Sequence, residues 1–154
     1  MSTIISSAIN NLNEAQQGLL QVAKDAIILN RKEIISILQD SQMSQGLRSD
    51  GKVAGVYKPS TSQFASLYNP VKPKTPFEPY NFYWSGETFA FMDVRNDSGA
   101  SYSIFSTSGK QVVLEKSYGK LFDLTEENND WINENIILPA LRKYILDQLF
   151  LGFK

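Results

Sequence analysis

Residues Val112 to Leu149 read VVLEKSYGKLFDLTEENNDWINENIILPALRKYILDQL, and this stretch carries the clearest local grammar in the chain. Val113, Leu114 and Tyr118 fall at helical spacing within Lys110 to Tyr118, and Gly119 follows as a stop. Leu121, Phe122 and Leu124 make a short apolar loop. Thr125 stands where an N-cap is wanted, with Glu126 and Glu127 in the first turn facing the positive end of the helix dipole. Leu124 precedes the cap and can staple back towards Asn129, Asp130 and Trp131. An apolar series then runs through Trp131, Ile132, Ile136, Leu138, Leu141, Tyr144, Ile145 and Leu149. Pro139 interrupts it, lacking a backbone donor and clashing with the preceding turn, so a kink or break is expected near Ile136 to Leu138. Beyond Leu149 the tail offers Phe150, Leu151 and Phe153, either folded back on the core or presented to a partner.

Upstream, Ser101 to Ser106 alternates as a strand, with Tyr102 and Ile104 opposed to Phe105. Thr88 to Val94 pairs with it as an expected antiparallel hairpin across the turn Asn96 to Ala100. The segment before is dense in aromatics: Tyr80, Phe82, Tyr83, Trp84, Phe89 and Phe91. Phe89, Phe91 and Asp93 are expected on one strand face, Met92 and Val94 on the other. A strand apolar on both faces is covered twice or lies at an interface. Asn69 to Pro79 holds Pro70, Pro73, Pro76 and Pro79 and reads as an extended connector. Ser60 to Leu67 reads as a short helix, and Gly46 to Pro59 as a turn-rich surface loop with the turn dipeptide Asp50-Gly51. Asn30 to Gln45 fits a helix or a short strand–helix pair. Thr3 to Leu29 has helical spacing with an Asn- and Gln-rich polar face, and Gly18 marks an expected bend. The whole is an expected α+β fold: a long N-terminal helix, a small antiparallel sheet and C-terminal helices kinked near Pro139. Residues 1–154 read as one domain, with a helical arm at 1–29 and an apolar tail at 150–154.

Composition narrows function by exclusion. Histidine and cysteine are both absent from the 154 residues. That removes Ser-His-Asp and Cys-His catalysis, thiol chemistry, disulfides and most zinc or non-haem iron sites. An enzyme would have to work with carboxylates, Lys, Tyr, Ser or Arg. A net charge of −1 without any Lys/Arg block argues against a general nucleic-acid binder. GxxxxGK[ST] and GxGxxG are both missing. The first residues lack a basic, then apolar, signal-like pattern, and no apolar run approaches the ~20 residues of a membrane span, so cytoplasmic synthesis without membrane association is expected. The acidic group Asp123, Glu126, Glu127 and Asp130 can be read as a metal or acid–base site, but at a helix start it more simply serves the dipole and solubility. No catalytic, cofactor or metal residue is assigned.

A series of short elements gives the chain a likeness. Gln42 to Gly46 forms a Gln-x-x-x-Gly turn followed by Asp50-Gly51; Tyr57, Pro59 and Thr61 form Tyr-x-Pro-x-Thr. Ser85-Gly86-Glu87-Thr88-Phe89 stands where a Thr-Gly-Asp-Phe-Tyr-like segment is expected. Tyr118-Gly119, Phe122, Leu124-Thr125 and Glu127-Asn128 precede a helix containing Pro139. In this order the elements resemble a family of small virion proteins of tailed double-stranded DNA phages: tail-completion, minor-capsid or head–tail connector components. The resemblance implies a structural ring subunit of the neck, without enzymatic activity or cofactor. It would bridge the portal to the tail and line or seal the DNA exit channel. Its partners would be copies of itself, in a closed ring of roughly six or twelve, together with the portal and adjacent neck or tail proteins. Double-stranded DNA would pass without specific binding. The contact surfaces expected are the Asn/Gln-rich face of Thr3 to Leu29, the aromatics Phe82, Trp84, Phe89 and Phe91, and the tail residues Phe150, Leu151 and Phe153. The alternative is a small cytoplasmic protein-binding module, an assembly chaperone or an inhibitor of a host protein. A carboxylate-based hydrolase or nuclease ranks last.

Overall fold

The computed structural model describes residues 2–68, 72–83 and 85–151, with the side chains at 2–8, 11, 66, 68 and 149–151 left aside. The fold is α+β. Helix α1 runs unbroken from Ser2 to Leu29. The helix continues through Gly18, and the glycine there has a packing use: a Cβ would overlap the Tyr144 hydroxyl, so Gly18 lets a second helix come close. Asn30 ends α1 by donating from its side-chain amide to the Ala26 carbonyl at 2.8 Å.

Helix α2 (Arg31–Ser36) follows at once, then a π turn (Ile37–Gln42) and a 3₁₀ turn (Met43–Gln45). The stretch left open between helix and strand is therefore helical throughout. Ile34, Leu38 and Met43 are fully buried from it, so its β-branched residues serve a helix packed into the core. Gly46 closes the run at φ +72. Its N–H donates to the Met43 carbonyl and the next, on Leu47, to the Gln42 carbonyl, both at 3.0 Å. A Cβ at Gly46 would also stand 2.6 Å from the Tyr80 carbonyl oxygen, so glycine is required twice over.

The expected hairpin forms with shifted bounds. Thr88 to Ala90 is not strand but part of a helical turn, α4 (Glu87–Ala90), entered through Gly86 at φ +77. Strand β1 is Met92–Asn96 and β2 is Tyr102–Ser106, antiparallel with Val94 opposite Ile104. Phe89 thus belongs to a turn, and the expected Phe89/Phe91/Asp93 strand face does not exist. Helix α3 (Pro59–Tyr68) opens on its proline, which fits the first helical position because no N–H is needed there.

Helix α5 (Gln111–Tyr118) ends at Gly119, φ +86, as its sequence indicates. Val113, expected on the apolar face, is 65% exposed; Leu114 and Tyr118 pack inwards. Helix α6 (Glu126–Ile132) passes through a π turn (Asn133–Ile137) into α7 (Leu138–Leu151). Pro139 therefore does not break the chain's helical course. The Leu138 N–H donates five residues back, to the Asn133 carbonyl. This wider turn accommodates a proline that would otherwise press against the carbonyl four residues before it. The extra residue also splits the apolar stripe. Ile132 and Ile136 are buried, while Trp131, Leu138 and Ile145 stay exposed.

One hydrophobic cluster joins these elements: Ile27 of α1, Ile34 and Leu38, Met43, Val94 and Ile104 of the sheet, Leu121, Phe122 and Leu124 of the loop, and Ile132 and Ile136. Helix α7 runs back along α1, with Ile137 beside Ala23 and Ile27 and Tyr144 beside Gly18. Among the described residues no helix is long and apolar enough to cross a membrane.

Candidate interaction surfaces

Gln42 organises the loop and helix start from Asp123 to Asn128. Its side chain is fully buried. The amide nitrogen donates to the Asp123 carbonyl at 2.8 Å, and the amide oxygen accepts from the Thr125 N–H at 2.9 Å and the Asn128 side-chain amide at 3.3 Å. Thr125 meanwhile caps α6 by accepting from the Asn128 N–H at 3.3 Å. The result is a capping box whose return arm comes from a distant helix rather than from the third residue of α6. Leu124, at the staple position, is buried, and its carbonyl accepts from the Asn129 side chain.

The Asp50-Gly51 turn docks on the same loop. The Ser49 N–H donates to the Lys120 carbonyl at 3.0 Å. Asp50 accepts from the Lys52 N–H and from both donors of the Arg48 fork, which hold its carboxyl below the ordinary range. The Arg48 stem lies against Gly119.

Around this unit lie three surfaces. A groove of about 1140 Å³ runs between the turn at Ser49 to Gly51 and the start of α6. Asp50, Glu126, Glu127, Asp130 and Glu134 line it, with Trp131, Ile37 and Leu47 supplying apolar wall. Asp123 lies apart, facing Lys120 at 3.5 Å. Among the described residues no group of three or more carboxylates is placed to hold a metal ion.

The second surface is aromatic. Tyr80 packs edge-on against Tyr57, Phe82 and Tyr118 at centroid distances of 4.9, 6.1 and 5.2 Å. Of the residues expected at a contact, Phe82 and Phe89 are half-buried against the core, and Phe91 is 53% exposed. Trp84 and Phe153 lie outside the described residues, as do the side chains of Phe150 and Leu151. Phe82 also sits at φ +48, a conformation uncommon for a bulky residue and held here by its ring contacts. Beside it, a cavity of about 240 Å³ is lined by Phe82, Phe89, Val113 and Leu114, with the Lys110–Glu87 ion pair nearby.

Lys74 was not singled out by its sequence context, a lysine among prolines. It is nonetheless 6% exposed, its ammonium donating to the Tyr57 hydroxyl, Asn81 Oδ1 and the Tyr83 carbonyl. Burial lowers its pKa from the ordinary 10.5.

The third surface is α1. Ile9, Asn10 and every residue from Leu12 to Gln17 are exposed, and Glu14 is the only charged residue among them. Ile145 and Leu146 of α7 are also exposed.

Compared with protein-family models, curated proteins and solved structures, the chain finds no match in any of the three.

Proposed function

We propose that the chain is a structural, ring-forming subunit of the neck of a tailed double-stranded DNA phage, placed between portal and tail. The observation that carries this reading is the convergence of three of the quoted elements: Gln42, Asp50-Gly51 and the run Tyr118 to Asn128. Gln42, Asp50, Gly119, Thr125 and Asn128, far apart in sequence, belong to one bonded unit around the start of α6. These letters, drawn from three of the elements that resemble the family, build one local fold. A ring also needs surface that tolerates burial without stranding charge. The exposed half of α1, with Leu12 71% exposed and one charge in nine residues from Ile9 to Gln17, supplies such surface.

Two measurements test the proposal. Mass spectrometry of purified particles of the phage that encodes the chain should find it as a stoichiometric component; its absence from mature particles sinks the reading. Light scattering of the chain co-expressed with its genomic neighbours should give a large cyclic mass.

A second reading, a protein-binding module in a one-to-one complex, is favoured by the acidic groove with Trp131 on its wall. A small heterodimer in the same light-scattering experiment would select it.

A further inference from the structure

The two-stranded sheet has two outer edges. The Thr107 N–H donates to the Phe91 carbonyl and the Asp97 N–H to the Ser101 carbonyl. With Val94 opposite Ile104, these bonds fix the alternation of the ladder. Asp93 pairs with Phe105 and Arg95 with Ser103 by hydrogen bonds, while the backbone groups of Met92, Val94 and Asn96, and of Tyr102, Ile104 and Ser106, point outwards.

On β1 the Val94 N–H is taken by the Asp93 carboxylate at 2.8 Å, and α1 and α2 pack against the strand. On β2 the Ser106 N–H is taken by Gln111 Oε1 at 2.9 Å. Nothing among the described residues takes the outward N–H or C=O of Tyr102 or Ile104. Both residues line a recess beside the strand.

That recess is a groove of about 290 Å³. One wall is the unbroken run Ala100 to Ile104, which is how a strand edge lines a groove; a strand face would contribute alternate residues. The other wall is Phe122 to Leu124. The Tyr102 hydroxyl donates to Asn129 Oδ1 at 3.2 Å and ties the two walls together. Asp123 is the only charged residue on the lining, and it faces Lys120.

We propose that this groove accepts an extended, non-prolyl peptide segment of a partner protein, which adds a third strand to the sheet by pairing with the backbone of Tyr102 and Ile104. The complement of two N–H/C=O sets two residues apart, about 7 Å along a strand, is another strand about 5 Å away. Pairing with an incoming strand gives these groups the hydrogen bonds that the sheet leaves unmade. A second copy offering its own β2 edge would bring its own Phe122 to Leu124 wall into the space the incoming strand needs. A free segment, a terminus or a long loop of another protein, meets no such obstacle. The proposal is independent of the ring reading.

Amide hydrogen exchange on the full wild-type chain tests it. In the free protein the Tyr102 and Ile104 amides should exchange at least about ten-fold faster than those of Ser103 and Phe105, which are bonded to β1. The probes are blocked pentapeptides in which Thr alternates with Val, Ile, Lys or Ala, each with a twin N-methylated at every residue. At least one unmodified peptide at millimolar concentration should slow Tyr102 and Ile104 by about ten-fold or more, and its twin should not. Four results overturn the proposal. They are slow exchange at both amides in the free chain, no protection from any peptide, equal protection by the twins, and protection that appears only on self-association of the chain.

Discussion

A fully buried glutamine is tolerable only when its amide is bonded at both ends, and Gln42 meets that condition across a gap of more than eighty residues. Gln42→Leu keeps the volume but strands the Thr125 N–H and the Asp123 carbonyl. We expect a loss of about 3 kcal/mol in denaturant unfolding. Thr125→Ala, which removes only the local cap, should cost about 1 kcal/mol. If the two losses are equal, Gln42 is not the return arm of the cap. Tyr102 gives a pH-dependent prediction. Burial pushes its hydroxyl from 10.0 up to about 12. The unfolded chain therefore loses this proton first as pH rises. The contribution of Tyr102 to stability is whole below pH 10 and is lost as pH climbs towards 12. Lys74 has the opposite sign: its lowered pKa lets the native state shed a proton first, so its contribution rises with pH towards 10.5. Comparing wild type with Tyr102→Phe isolates the tyrosine. The alkaline fall in stability should be shallower in the variant, and an unchanged slope would refute the assignment. At this scale Thr125 was legible because an N-cap is a local device. The Gln42 letter stood out only through the resemblance, since nothing local announces a partner so distant in the chain.

Between α6 and α7, the element scale, the π turn and Pro139 explain each other. Deleting exposed Glu134 should convert the wide turn to an α turn and press the proline ring on the carbonyl four residues earlier, at a cost of about 3 kcal/mol. Adding Pro139→Ala to that deletion should recover most of the loss, read by thermal and denaturant unfolding. Equal stability of the single and double variants would show that the π turn is set by packing and not by the proline. Sequence periodicity located a disturbance here but not its form, because a kink, a break and a π turn all relieve the same clash. The hairpin was misjudged at Thr88 to Ala90 for a related reason. Aromatic residues suit a strand, yet Gly86 at positive φ starts a helical turn that sets Phe89 beside Tyr83, with ring centroids 5.6 Å apart. Gly119 behaved as read, since a glycine stop after a short helix depends on its own φ.

The whole molecule couples a single core to an exposed, nearly uncharged length of α1. Leu12→Lys should leave the melting temperature within about 2 °C, because the side chain touches no core residue. In the ring reading it should also abolish the large assembly seen by light scattering. If assembly is unchanged, α1 is not a subunit contact. If stability falls as far as assembly, Leu12 belongs to the fold and not to an interface. Sequence alone determined what depends on neighbours in the chain: the helical class of α1 and of the C-terminal stretch, the cap at Thr125, the stop at Gly119, and the exclusion of histidine and thiol chemistry. Tertiary structure decided what depends on distant partners. It used Gly18 for a close helix approach, buried Lys74 and Gln42, and turned the C-terminal stripe half outwards. It also set the outer edge of β2 along a groove. Periodicity records which residues are apolar, but burial and backbone pairing are settled only when segments remote in sequence compete for the same space and the same hydrogen bonds.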